Sequence, residues 1–273
     1  WKLADPGLIQ QVLRAMNDKS LIIADGHHRY ETSVAYMHER ARELGLKEDA
    51  AEPSPFGESF SDMEDAADPS ELPAPPFPES AMMMTFVNMD APGITILPTH
   101  RVVFGLQGFS GRQFAKEAEQ GFSVEEISSE AASSAAAPDL LQRLEQAPGT
   151  AFVAATRDGA FLLTPKPETV EHLSSLSPHQ AQLDVVQLHR LVLEGMLHLD
   201  EDAVRTGDHV RYIREAGEAL REVAEGKADV AFLIKPVTLQ QMKDVSLNLE
   251  VMPQKSTDFY PKLLSGLAMY ALD

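Results

Sequence analysis

The chain has no cysteine in its 273 residues, which excludes disulfides, thiolate metal sites and a cysteine nucleophile and fits a reducing, cytoplasmic setting. It has no apolar run approaching the roughly 18 residues that a membrane helix needs. Nothing in it reads as a signal peptide, so no membrane partner is expected. Basic residues are scarce: 23 Lys and Arg stand against 42 Asp and Glu, a formal charge of −19. A nucleic-acid backbone is held by Lys and Arg releasing counterions, so this balance argues against nucleic acid as the main partner. A small anion in one local basic pocket stays compatible with it. The common nucleotide and hydrolase signatures are also missing, with no Gly-x-Gly-x-x-Gly, no Gly-Lys-Ser/Thr loop, no Gly-x-Ser-x-Gly elbow and no His-Glu-x-x-His. No repeat period appears, which argues against a solenoid. The chain starts at Trp1 rather than methionine and is therefore expected to be a piece of a longer one.

What is present reads as a globular α+β protein, 44% hydrophobic and 24% charged, long enough for one large or two ordinary domains. Asp5-Pro6 marks a helix start, with Ile9, Val12, Leu13 and Met16 on the apolar side. Leu21 to Ala24 reads as a short buried strand. From Tyr30 onward Val34, Met37, Ala41 and Leu44 recur at helical spacing. Residues 48–80 are acidic and rich in Pro and Ser, with no Lys or Arg, and read as a flexible insertion. Met82 to Asp90 reads as a strand-like run, and Ile94 and Ile96 alternate before Pro98. Ser128 to Ala137 reads as loop or weak helix. Arg157-Asp158-Gly159 between two apolar runs is a hairpin signal. Leu183, Val186, Leu188 and Leu191 line a helix in which His189 reads as a partly buried packing residue. A further helix stops at Gly226, before a strand from Val230 to Ile234, and a C-terminal helix is interrupted early by Pro261. Hairpin signals beside single strand-to-helix turns favour an α+β arrangement, with a mixed sheet and flanking helices. The expected organisation is a lobe over 1–47, the insertion over 48–80 and an α+β domain over 81–273.

Three loops gather cations and hydrogen-bond donors: Gly26-His27-His28-Arg29, Thr99-His100-Arg101 and Lys255-Ser256-Thr257. Arg offers a planar fork to a phosphate, Lys a point charge, Ser or Thr a short neutral donor. In the first loop the turn precedes a helix whose first N–H groups lack intrahelical acceptors. Gly26 would let a ligand approach the backbone without a Cβ in the way. Each loop has a plainer reading: Arg29 paired with Asp25 or Glu31, His27 capping backbone, Ser256 or Thr257 as an ordinary helix N-cap, His100-Arg101 as a surface pair on a strand. Zinc on Asp25, His27, His28 and His100 is the competing ligand reading, weakened because adjacent histidines project in different directions.

Four ordered blocks, "IADGHHRYETSVAY", "MMMTFVNMDAPGITILPTHRVV", "LDVVQLHRLVLEG" and "VMPQKSTDFYPKLLSGL", resemble domain-of-unknown-function family 1015. Members of that family usually carry a further portion before the equivalent of Trp1. The Asp-Gly-His-His-Arg piece is also similar to a motif of the ParB and sulfiredoxin-like superfamily, which includes free-serine kinases. The resemblance implies a ParB-like element at that turn. It implies that Gly26, His27, His28 and Arg29 meet nucleotide phosphates, with Asp25 near a magnesium ion or the acceptor hydroxyl. The general base is not implied by any residue here, because the related acidic residue lies upstream of the motif.

Two functions follow as expectations. The first is a small-molecule kinase using Mg²⁺ with ATP or ADP, best matched to L-serine as acceptor. Arg29 and the Gly26 to His28 backbone would grip phosphate. His100, Arg101, Lys255, Ser256 and Thr257 would add donors, and Asp25 or His28 would assist the hydroxyl. The second is a non-catalytic nucleotide-binding regulatory module, since a fold of this kind does not decide function. The sequence leaves the oligomeric state open.

Overall fold

A computed structural model describes residues 3–46, 76–130, 133–253 and 255–262. Most of the acidic insertion and the expected C-terminal helix beyond Pro261 therefore lie outside the described residues. The chain forms two compact units, the first made of Trp1–Asp90 and Lys262–Asp273, the second of Ala91–Pro261.

In the first unit, helix α1 (Pro6–Met16) begins as its sequence indicates. The Asp5 side chain accepts from the Leu8 amide at 2.8 Å, and Pro6 supplies a preset φ where no N–H is needed. Helix α2 (His27–Glu43) spans 17 residues. Its Met37 and Ala41 are buried with Phe77, and Val34 packs against them. Arg40 Nε donates to Glu79 Oε1 at 2.8 Å, a tie across 39 positions of sequence. Two sequence expectations fail here. Leu21 to Ala24 is not a strand, and Leu21 and Ile23 are 62% and 50% exposed. Met82 to Asp90 is likewise irregular, with Phe86 largely exposed. A strand exists only where a neighbour accepts and donates its backbone hydrogen bonds. Among the described residues, neither segment has one.

The second unit is built on a six-stranded sheet. Its elements, in chain order, are β1 (Thr95–Leu97), β2 (His100–Val103), α3 (Gly111–Ala118), β3 (Phe122–Ser128), α4 (Ala137–Gln146), β4 (Phe152–Thr156) and β5 (Gly159–Pro165). Two short helices follow, α5 (Pro167–Val170) and α6 (Pro178–Ala181). Helix α7 (Asp184–Gln187) runs directly into a π-helical segment, Leu188–Glu194. Then come α8 (Glu201–Thr206), β6 (Val210–Ile213), α9 (Ala216–Ala224), β7 (Val230–Ile234), α10 (Leu239–Leu247) and β8 (Asp258–Tyr260). The large sheet has the order β3-β5-β4-β7-β2-β6. Every pairing in it is antiparallel. A separate two-stranded sheet pairs β1 with β8, Ile96 opposite Phe259.

The class is α+β with flanking helices, and the mixed sheet expected from sequence takes a wholly antiparallel form. The β4–β5 hairpin closes at Asp158, where Thr156 faces Gly159. The same aspartate caps α3, its Oδ2 accepting from the Gly111 amide at 2.7 Å. Strands β4 and β7 are buried along their whole length, as central strands covered on both faces must be. On one face Val102, Val153, Ala155 and Leu233 pack with Leu140 and Leu144 of α4 and Leu220 and Val223 of α9. Period-two alternation sends Arg101 and Phe232 to the other face. There Phe232 meets Phe114 of α3 edge-on, ring centres 5.9 Å apart.

Candidate functional site

The first cationic loop sits at the start of α2. Gly26 is the N-cap residue in the left-handed region, φ 85°, and no side chain caps the helix. An N-terminus without a side-chain acceptor leaves the first-turn N–H groups to solvent or a ligand, at the positive end of the helix dipole. Arg29 donates from Nη2 to Asp25 Oδ2 at 3.2 Å, and Lys262 Nζ lies 3.9 Å from Asp25 Oδ1. His28 Nδ1 is 3.3 Å from Glu31 Oε2, and the His27 and His28 rings lie 3.9 Å apart at 45°. The side chains of Arg29 and His28 remain 67% and 82% exposed, so these ion pairs are weak and exchange readily with a stronger anion. The glycine has a different immediate use from the one expected. A Cβ at Gly26 would lie 2.7 Å from Arg29 Nη2 and 2.9 Å from its Nε. The missing side chain thus lets the guanidinium fold back over the cap.

The second and third loops meet inside the second unit. Arg101 is fully buried, donating from Nε to His189 Nε2 at 3.2 Å and from Nη2 to the Lys255 carbonyl at 3.3 Å. Its Nη1 donates to the Thr99 carbonyl. Its guanidinium lies 5.3 Å from the centre of the Tyr212 ring, within cation–π range. Burial pulls Arg101 down to about 10, still a cation at neutral pH. Because Arg101 donates to His189 Nε2, that imidazole is neutral with its proton on Nδ1. Burial first, and then the charges of Arg101 and Arg190, hold His189 at about 3. His100 is also buried, its Nδ1 accepting from the Ile234 amide at 3.4 Å.

Of the third loop, Lys255 exposes its side chain, in the left-handed region at φ 56°. Ser256 is buried and donates to the Pro253 carbonyl, and Thr257 is half-buried. Sequence reading singled out neither Tyr212 nor the contact to His189. The only signal for the latter was a histidine inside an apolar helix. The π-helical segment carrying His189 inserts an extra residue per turn and so re-aims it. Among the described residues, no group of three or more His, Asp and Glu side chains is gathered as a metal site.

The family model "Protein of unknown function (DUF1015)" matches residues 1–186, more than half of the chain. The chain belongs to this family. The match takes in the α2 turn and the Thr99-His100-Arg101 loop and ends before Lys255-Ser256-Thr257. No curated protein matches this DUF1015 chain. Solved structures similar to it include a free serine kinase in complex with AMP and a mutant free serine kinase in complex with ADP. Each is 16% identical over 63% of this chain and 56% of that one, with a TM-score of 0.35. A conserved hypothetical protein from Pyrococcus furiosus is 13% identical over 63% of this chain and 59% of its own, also at 0.35. The DUF1015 chain thus spans less than two thirds of the length of each. Among the described residues, no helix is long and apolar enough to cross a membrane.

Proposed function

We propose that this DUF1015 protein is a small-molecule kinase whose nucleotide phosphates dock on the N-terminus of α2, with L-serine as the acceptor. One observation carries the reading: a 17-residue helix begins at a left-handed glycine with no side-chain cap. Around it stand an exposed arginine and two exposed histidines. Backbone N–H groups and a guanidinium are the donors an oligophosphate requires. On binding, Arg29 would exchange Asp25 for phosphate oxygens and so free Asp25.

The residues fit a magnesium ion carried in with the phosphates, since such an ion takes one or two carboxylates from protein and the rest from phosphate and water. Asp25 would supply that carboxylate, and the ion would neutralise charge on the transferring group. In the transfer, the bond from the terminal phosphorus to its bridging oxygen breaks and a bond to the serine hydroxyl oxygen forms. The hydroxyl proton passes to His28 or Asp25, and ADP (or AMP, if ADP is the donor) leaves. A positioned proton acceptor contributes about a hundredfold or more.

The test is Arg29→Ala, with nucleotide affinity followed by calorimetry and L-serine-dependent release of the spent nucleotide followed in a coupled assay. Loss of a charge-assisted fork should weaken binding about tenfold or more. Unchanged affinity and turnover would refute the docking site. Tight nucleotide binding with no acceptor-dependent turnover would leave a binding module in place of a kinase.

A further inference from the structure

The second unit contains a pocket whose lining includes no residue of the three cationic loops. It has a volume of about 380 Å³ and is lined by residues including Thr150, Asp184, Gln187, Lys235, Thr238 and Gln241. That is within the range of small-molecule sites. Asp184 and Gln187 stand three residues apart on α7, so they share one face of that turn. Gln187 is only 4% exposed. Its Nε2 donates to the Ala181 carbonyl at 2.8 Å, which fixes the amide and leaves Oε1 as the free end. Neither Gln187 Oε1 nor Asp184 Oδ2 has a hydrogen-bond partner, although both are buried. The Asp184 carboxyl has hydrogen bonds from Thr150 and Ala151, but two buried acceptor atoms left without donors are costly unless something supplies them.

The opposite charge on the pocket comes from Lys235. Its Nζ donates to the Ala147 and Gly149 carbonyls, both at 2.7 Å. An ammonium has three N–H donors, so one remains for a ligand. Near it, Thr238 and Gln241 form the reciprocal cap of α10. This helix end also presents its positive pole to an anion. A bare cation would be drawn to Asp184 but opposed by Lys235, and a bare anion would meet the reverse.

We propose that this pocket binds a small zwitterion bearing a primary ammonium and a carboxylate, the chemistry of a free amino acid. The ammonium donates to Asp184 Oδ2 and Gln187 Oε1, and the carboxylate accepts from Lys235. The pocket's lining includes no residue of the α2 turn, and the proposal stands without the kinase reading.

The test is calorimetry of the whole chain against a panel of free amino acids at millimolar concentration, beside their N-acetylated forms and simple alkylamines. At least one amino acid binds, and its N-acetyl form does not. Asp184→Asn, which keeps the side-chain shape, weakens that binding by about tenfold or more and leaves ATP binding unchanged. Lys235→Met brings the amino acid down to the affinity of the matching amine. Circular dichroism of both variants verifies the fold. The proposal is overturned if no amino acid binds, as would follow if water alone occupies the pocket. It is also overturned if binding survives Asp184→Asn, which would put the amino acid elsewhere.

Discussion

Acid should weaken the sheet-bearing unit well before its carboxylates titrate. Burial, and secondarily the charge of Arg101, hold His100 at about 4. Burial, then Arg101 and Arg190, hold His189 at about 3. In an unfolded chain both would titrate near 6.5. Between these limits the unfolded state binds protons that the folded state refuses, so stability is intact above pH 6.5 and falls as the pH drops. Near pH 5 each unfolded histidine gains about 2 kcal/mol from protonation, so the two together cost about 4 kcal/mol. A domain has roughly 5–15 kcal/mol in total, so this is a large share. The two histidines contribute a slope of about 2.7 kcal/mol per pH unit through that window, set by two protons, and Asp184, raised by burial, offsets part of it.

Urea unfolding followed by circular dichroism from neutral pH to about pH 5 measures it directly. His189→Gln sharpens the test, because its carbonyl can still accept from Arg101 Nε and does not titrate. The variant should show about half the slope. The reasoning is refuted if the wild-type midpoint is flat across the window, or if His189→Gln keeps the full slope.

Three further outcomes are expected. Gly111→Ala would set a Cβ 2.1 Å from Thr156 Oγ1 and 2.7 Å from Thr156 Cβ, and should destabilise by about 1–3 kcal/mol in thermal unfolding. Asp158→Ala removes the acceptor for the Gly111 amide and the Ser110 hydroxyl, at a cost of about 1–2 kcal/mol, while Asp158→Asn retains most of the stability. Gly26→Ala pays about 1–2 kcal/mol for the left-handed backbone and pushes Arg29 aside. Faster amide exchange at the start of α2 and weaker ATP binding should appear together in it, and wild-type values for both would count against the described cap.

The helix starts and stops were legible where a few adjacent residues decide them. Asp5-Pro6 opens α1, Gly226 ends the chain segment after α9, and Asp158-Gly159 closes the β4–β5 hairpin. The candidate site was legible only in part. That Gly26 to Arg29 open a helix follows from the local pattern, and the structure leaves them exposed. That Arg101 lies under the protein surface does not follow, because its partners come from 88 and 154 positions further along. Asp184 and Gln187 carried a faint signal, two polar residues three apart in an apolar run. Nothing local showed that Lys235, from the end of β7, would line the same pocket.

By itself the sequence determined the composition class, the absence of thiol chemistry and the elements written in short-range code, since capping and hairpin closure act over three or four residues. It could not rank two apolar runs that look alike. Val230 to Ile234 became the strand β7 between β4 and β2, whereas Leu21 to Ala24 stayed irregular. A strand needs neighbours, and neighbours are chosen by the whole chain. The same holds for Arg29 and Arg101, each of which follows a histidine. Arg29 faces solvent and Arg101 is sealed in, because burying a charge depends on which distant groups arrive to cover it and accept its hydrogens.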